Sequence, residues 1–592
     1  MGTKGTAASD AFDADVKPFK KDEDADAEPK GSPPDGPGDE PKGHPSGLYV
    51  LFGAEAWERF SYYGMRALLV LYLTKKIGYS KPDALEIYGL YTGLVYLTPL
   101  LGGFLADKFL GRRKAVFIGG ILMALGQIFL MFPATLTLAL GLLIAGNGFF
   151  KPNISTMVGG LYREGDTRRD GAFTIFYMGI NLGALASPLV CGNLGEKVGW
   201  AVGFGSAALG MALGLAQFLW GQTKLGDTGL PPGRLAEIKT GGTGPYRSGQ
   251  LPSGPPTTLV ARDYIDVLIW CASSAALVYA ILFAWTYVGP VWTGLPGYPK
   301  LALFLAGISV VFFQLYKGTS SSEKQEVTVI IILVAFNIFF WMGFEQAGGT
   351  MTLFADEQTD RNIGGIGMLL ISAFVFGCAY NFRRSTKNEV SGQALWLGLT
   401  GLFVLMAVAL LGLAVYDLAT GKTTNIPASQ FQAINPLLIV ALAPTFSNLW
   451  SKLDTSKYKS STPTKMAIGM ILLGMGFMVL YVGQKLAIAS GTKASASWLA
   501  AVYFIHTIGE LCLSPIGLSM VTKLAPPRVT SLAMGLWLFS SAVANYLAGI
   551  LESLLTKVNV PIYGFLIVSS IGPAILLLAL TPLLKKWMHG KA

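Results

Sequence analysis

From residue 47 almost to its end, the chain is a succession of apolar stretches each near the length that crosses a bilayer. They fall at 47–74, 85–106, 115–133, 135–161, 172–192, 198–221, 264–288, 300–316, 327–355, 363–381, 393–416, 432–451, 466–484, 496–522, 530–555 and 562–584. About twenty residues of helix span the ~30 Å hydrocarbon core of a membrane. Only 14% of the 592 residues are charged, against about 25% in a soluble domain. Mean hydropathy is +0.50. This excludes a secreted disulfide scaffold, a nucleic-acid-binding domain and an ordinary cytosolic enzyme. It predicts an all-α integral membrane protein with about 16 membrane helices.

Charge placement orders these helices. Residues 1–46 hold 11 acidic and 6 basic residues with few large apolar ones. Such a segment cannot offset its ordering entropy by burial, so a disordered acidic tail is expected. With the tail inside and the helices alternating, 32 Lys/Arg fall inside and 10 outside, with 3 within helices. That bias fits the positive-inside rule and puts both termini (the last segment being 586–592) in the cytoplasm of a multi-pass plasma membrane protein, the bacterial inner membrane. Cys191, Cys271, Cys378 and Cys512 lie in apolar runs with no CxxC spacing, so neither a disulfide nor a metal site is expected.

The Gly/Pro/Thr-rich stretch 222–262 is the one long internal linker. It divides a six-helix bundle at 47–221 from the remainder. Six plus six helices around a cytoplasmic linker is the layout of a major facilitator transporter. The four surplus helices are easiest to place as two hairpins, one at 263–317 and one at about 363–416. The latter is inserted into a second six-helix bundle at 326–585.

Charges inside a membrane are costly and mark function. Seven stand out: Glu55, Glu58, Arg59 and Arg66 in the first helix, then Lys151, Glu345 and Glu510. At 100° per residue, Glu55, Glu58, Arg59, Tyr62, Tyr63 and Arg66 share one helical stripe. Three cations against four carboxylates leave one carboxylate over. A lone buried carboxylate should hold a proton, which suggests a proton-coupled cycle. Lys151-Pro152, Ser187-Pro188, Asn435-Pro436 and Ser514-Pro515 put proline in apolar runs, where freed carbonyls serve as hinges or binding groups. Singly, each is also an ordinary packing kink.

Gly102-Gly103-Phe-Leu-Ala-Asp107-Lys-Phe-Leu-Gly111-Arg112-Arg113-Lys114 resembles the signature loop of the major facilitator superfamily, with Asp107, Arg112 and Arg113 as a cytoplasmic latch. The other motifs resemble the proton-dependent oligopeptide transporter family. Glu55-Ala-Trp-Glu58-Arg59-Phe60-Ser-Tyr62-Tyr63-Gly64 matches that family's helix-one signature. Gly148-Phe-Phe-Lys151-Pro152-Asn153 and Phe173-Thr-Ile-Phe176-Tyr177-Met-Gly-Ile-Asn181 resemble its helix-four and helix-five motifs. Phe340-Trp341-Met-Gly-Phe-Glu345-Gln346, Asn435-Pro436, Gly509-Glu510-Leu-Cys-Leu-Ser514-Pro515 and Met534-Gly-Leu-Trp537 resemble those of helices seven, eight, ten and eleven.

The resemblance implies symport of di- and tripeptides with protons by alternating access, driven by the proton motive force without a cofactor, in a protein that works as a monomer. It implies that Glu55, Glu58, Arg59 and Glu345 couple protons. Arg59 and Lys151 would lie near the peptide carboxylate, Asn181, Asn435 and Glu510 would hold the amino end and backbone, and Arg66 would also bind substrate. Tyr62, Tyr63, Tyr96, Trp341, Trp537 and Ser541 would line side-chain pockets. Arg66–Glu345 and Lys151–Glu510 would be gate pairs. Two features depart from the family. The 363–416 insertion replaces a short outer loop, and helix two has no histidine. His506, one turn before Glu510, reads as a packing residue or a modulator of that carboxylate. A relative for nitrate, amino acids or peptide-like drugs is the alternative within the class. No HExxH or GxSxG motif suggests an enzyme, and a mixed-sign charge set in both halves suits neither a channel nor a scaffold.

Overall fold

The structure, a computed structural model, describes residues 43–163, 166, 168–231, 258–294, 309–386, 393–454 and 461–591. The acidic tail, most of the 222–262 linker and most of the 300–316 segment lie outside the described residues. Six long helices form the first half: α1 (Ser46–Tyr72), α2 (Lys81–Leu97), α3 (Arg112–Leu130), α4 (Leu136–Gly160), α5 (Arg169–Ser187) and α6 (Trp200–Trp220). After α7 (Ala261–Gly294) come α8 (Ser321–Phe344), α9 (Gly365–Thr386), α10 (Gln393–Thr420), α11 (Ile434–Asp454), α12 (Thr462–Ser490), α13 (Ala496–Leu524), α14 (Thr530–Lys557) and α15 (Ile562–Trp587). Among the described residues, 13 helices are long and apolar enough to cross a membrane. Helices are forced here, because lipid offers no partner for an unpaired backbone group.

Ordinary caps end several of them. Ser80 accepts from the Asp83 N–H before α2. Ser320 and Glu323 form a reciprocal capping box at α8. Prolines behave in three ways. Pro152 sits inside α4 without interrupting it, and the α13 backbone likewise continues through residue 515. Pro188 opens a wider turn, Pro188–Gly192, after which the chain continues to Lys197. Pro436 lies in the first turn of α11, where its missing N–H costs nothing, so Asn435-Pro436 is a helix start and not a break.

In the first half α1 is central, packed by α5 and α6, with α3 against α4 and α6. In the second half α8 packs on α14 and α15, and α12 on α13 and α15. The halves meet along two seams, α2 with α14 and α5 with α11. At the first seam a Cβ built on Gly89 would lie 2.6 Å from the Gly549 Cα, so only glycine permits this approach. Polar contacts add to the packing: Asn337 donates to Ser540 at 2.8 Å, and Thr98 to the Ile144 carbonyl at 3.0 Å. All four cysteines are buried and free.

The two additions sit differently. Helix α7 packs on α3 and α4 through Val267 and Cys271, and Lys114 holds it by ion pairs to Asp263 (2.9 Å) and Asp266 (2.7 Å). Helices α9 and α10 pack on each other and share an apolar cluster with α5 and α11. Their lipid-like faces include Leu370, Phe376, Leu402 and Leu405. Two short strands, β1 (Asn362–Gly364) and β2 (Thr423–Asn425), pair antiparallel at their root.

Candidate functional site

Helix α1 carries the densest set of buried charge. The Arg59 guanidinium Nε lies 3.0 Å from Glu55 Oε1 and also pairs with Glu58, which is 0% exposed. Asn147, buried one turn before Lys151, places its amide 3.5 Å from Glu58 Oε1. These are charge contacts more than aligned hydrogen bonds. Arg59 Nη2 is buried with no hydrogen-bond partner among the described residues. A guanidinium keeps five donors in a planar fork, so Arg59 has capacity for another anion. Tyr62 lies against it, with the ring centroid 5.4 Å from the guanidinium carbon.

Lys151 forms no ion pair among the described residues. Its ammonium sits 4.7 Å over the Tyr96 ring and within electrostatic reach of Arg59, Glu58 and Glu55. Across the seam, Glu510 is 8% exposed and has no cation partner among the described residues. Asn435 donates to Glu510 Oε2 at 2.9 Å and to Thr507 Oγ1 at 3.0 Å. Tyr63 and Tyr177 of the first half lie within electrostatic reach of this carboxylate. Asn181 is buried and donates to the Tyr177 carbonyl at 3.0 Å.

The expectation of three cation–carboxylate pairs is therefore corrected. Arg59 takes two carboxylates and Lys151 none, and the carboxylate left over is Glu510. Lys151 and Glu510 form no ion pair in this structure. The other gate pair is closed. Arg66 pairs with Glu345, donates to the Tyr88 hydroxyl at 2.6 Å, and lies over the Tyr63 ring at 5.7 Å. One face of the molecule is thus shut across α1, α2 and α8.

The remaining residues fall around these charges. Trp341 packs edge-on against Phe340 and Phe344, with centroids 5.4 and 5.3 Å away. Trp537 is buried against Gly517 and lines a small apolar cavity with Met466, Cys512 and Met520. Ser541 is half-buried, and its carbonyl accepts from Asn545. His506 bonds the Leu473 carbonyl at 3.0 Å and packs edge-on against Phe477, the packing alternative of the two.

The signature loop is corrected in one respect. Arg112 pairs with Asp107 at 2.9 Å. Arg113 is turned about 100° round the helix, as successive residues must be. It is buried and donates to the carbonyls of Thr228 (2.8 Å) and Gly226 (2.6 Å), tying the first half to the start of the linker. Nearby, Asp166 is held below the usual carboxylate range by hydrogen bonds from the Arg168 side chain. Sequence reasoning passed over Tyr88, Asn147 and Thr507. The signal for Asn147 and Thr507 was a polar residue one turn from a flagged charge on an otherwise apolar helix, whereas Tyr88 sits on a helix without a flagged charge and had only Tyr96 two turns on.

Two six-helix halves meeting at buried charges of both signs define a secondary transporter of the major facilitator fold. The model of a family described as "POT family" matches residues 113–235 and 412–566. A di-/tripeptide transporter of Lactococcus lactis subsp. lactis is 31% identical over 92% of this chain and 96% of its own. The peptide transporter YePEPT of Yersinia enterocolitica is 32% identical over 86% of this chain and 88% of its own. Crystal structures of a peptide transporter POT, one with sulfate and a variant with alafosfalin, each superpose with a TM-score of 0.67 over 92% of this chain and 96% of theirs, at 32% and 31% identity. The chain belongs to the POT family.

Proposed function

We propose that this protein is a proton-coupled symporter that takes up di- and tripeptides by alternating access. One observation carries the reading: the first half holds Lys151, with no carboxylate partner among the described residues, and an unused donor at Arg59 Nη2, while the second half holds Glu510, with no cation partner among them. A zwitterionic peptide offers a carboxylate to the first set and an ammonium to the second, and aromatic residues such as Tyr62, Tyr63 and Tyr96 tolerate varied side chains. The relatives named as peptide transporters and the alafosfalin complex support the same substrate class. A simple anion such as nitrate has no use for Glu510, which argues against the alternative.

Proton coupling follows from exclusion. Glu58 cannot both hold a proton and keep its ion pair with Arg59. Protonation of Glu58 frees the guanidinium for the peptide carboxylate. The proton motive force then drives uptake, with ~2.3 kcal/mol per charge for each 100 mV. No cofactor enters this cycle. The Lys/Arg bias supports a plasma membrane location with both termini cytoplasmic, so the shut Arg66–Glu345 face is the outer one. Nothing in the cycle needs a second copy, so a monomer in the bilayer suffices.

The test is uptake of labelled dialanine into proteoliposomes. An inward proton gradient should drive accumulation above equilibrium, and a protonophore should collapse it. Accumulation that ignores the gradient would sink the reading. Glu510→Gln should raise the KM for dialanine at least ~tenfold, the loss of one charge-assisted contact, while acetylation of the peptide amine should erase the difference between the two proteins.

A further inference from the structure

The inserted hairpin α9–α10 has no part in the cycle described so far. Its two ends return to one place. Beyond the β1–β2 ribbon, Ile426 N donates to the Arg361 carbonyl at 3.0 Å, and Arg361 Nη1 donates to the Ile426 carbonyl at 3.4 Å. Arg361 therefore closes the root of the insertion.

Arg361 also reaches the first half. Its Nη1 lies 3.5 Å from Glu196 Oε2, just beyond α5, and its Nη2 lies 3.3 Å from Asp356 Oδ1. Asp356 in turn accepts from Lys75 Nζ, just beyond α1, at 2.6 Å. On its other side Glu196 accepts from the backbone N–H groups of Ala428 (3.1 Å) and Ser429 (2.8 Å) and from Ser429 Oγ (2.6 Å). Arg361 directly precedes the first strand of the root and Ala428 lies three residues past the second. One carboxylate of the first half is thus gripped from both ends of the insertion. Arg361 and Glu196 are only 20% and 11% exposed, so water screens the contact weakly. Deeper in the membrane, Phe382, Trp396 and Phe403 of the hairpin belong to the same apolar cluster as Met178 and Leu185 of α5 and Val440 of α11.

We propose that the inserted hairpin is a brace for the outer gate, and that Arg361 and Glu196 are positioning residues that set how readily the outer face opens. This rests on the alternating-access reading, because the grip must break when the halves part on that side. Weakening it shifts the population towards the outward-open state.

The test uses the full chain in proteoliposomes with a reporter, Leu85→Cys. Leu85 is buried on α2 at the closed face, and the four native cysteines are buried. The probe is a membrane-impermeant maleimide added outside, with the protein lacking the reporter as blank. Glu196→Gln should speed labelling about tenfold, the scale of losing charge-assisted bonds. Arg361→Gln should speed it about threefold, since Glu196 keeps its bonds from Ala428 and Ser429. The double variant should label little faster than Glu196→Gln, because both variants cut the same Arg361–Glu196 contact. Dialanine uptake should show a lower KM together with a lower kcat, whereas a purely structural role would lower kcat alone. Lys422→Ala, on the exposed side of the same root, should change neither. Unchanged labelling in both single variants, or additive effects in the double, would overturn the proposal. Labelling needs no transported peptide, so failure of the peptide reading leaves this result readable.

Discussion

Glu58→Gln should abolish gradient-driven accumulation of dialanine and leave counterflow exchange near the wild-type rate. Glu58 is fully buried beside Arg59 and Asn147. Glutamine keeps its size and a carbonyl for the Asn147 amide, but it cannot take a proton. Arg59 keeps Glu55 as a partner at 3.0 Å, so the cation is not stranded in a dry site, the usual cause of collapse after one member of a buried pair is removed. The variant resembles the protonated state permanently. Peptide still binds and the halves still exchange, so labelled and unlabelled dialanine swap. What vanishes is the energetic link. At 100 mV one proton is worth ~2.3 kcal/mol, or about a fifty-fold accumulation ratio, and this should fall to unity. Driven uptake that survives the change would place the coupling proton elsewhere. Loss of counterflow as well would mean that Glu58 is needed for the conformational change itself.

The α1 stripe was legible because charge in an apolar helix breaks a strong rule. Six polar positions on one face leave few arrangements, and the many-helix membrane architecture follows from length and apolar composition. How the charges are shared was not legible. Counting gave every cation a carboxylate, yet Arg59 holds two, because Glu55 and Glu58 lie one turn and one residue before it, while Lys151 rests on the face of Tyr96. Neighbours on one helix won over partners that a tertiary approach would have had to supply. Arg113 shows a related limit. Two adjacent basic residues look equivalent in a motif, but the helical turn sends one to Asp107 and the other to backbone carbonyls. Glu196 and Arg361 gave no signal for a different reason. Charges at helix ends near water are commonplace, and only the fold brings residues 196, 361 and 429 together. The inserted hairpin itself was visible from its length, whereas its root, built from ordinary loop residues, was not.

Gly89→Leu should nearly eliminate both driven uptake and counterflow, and this sets it apart from the coupling variant. At the α2–α14 seam a Cβ on residue 89 would meet the Gly549 Cα at 2.6 Å and the Asn545 carbonyl at 3.1 Å. Backbone atoms on a packed helix cannot swing aside as a side-chain end can. The added bulk must push α2 from α14, and the neighbouring Tyr88 carries the displacement to Arg66 and Glu345. Overpacking of this kind costs ~1–3 kcal/mol or more. That cost falls on the outer-closed state alone, since the seam is already parted when the outer face is open. A bias of that size shifts the two-state equilibrium by roughly five-fold to over a hundred-fold. Helix propensity does not offset it, because leucine is the better helix former and α2 itself should be unharmed. The carrier should therefore collect in the outward-open state. It should bind dialanine from outside with undiminished affinity, expose Leu85→Cys to the impermeant maleimide and fail to exchange. Gly93→Ala offers a graded comparison: its Cβ would lie 3.0 Å from the Ala542 carbonyl, a tight contact against a single oxygen, so a partial loss is expected. Wild-type counterflow in Gly89→Leu would show that the two helices need not touch here for the outer face to close.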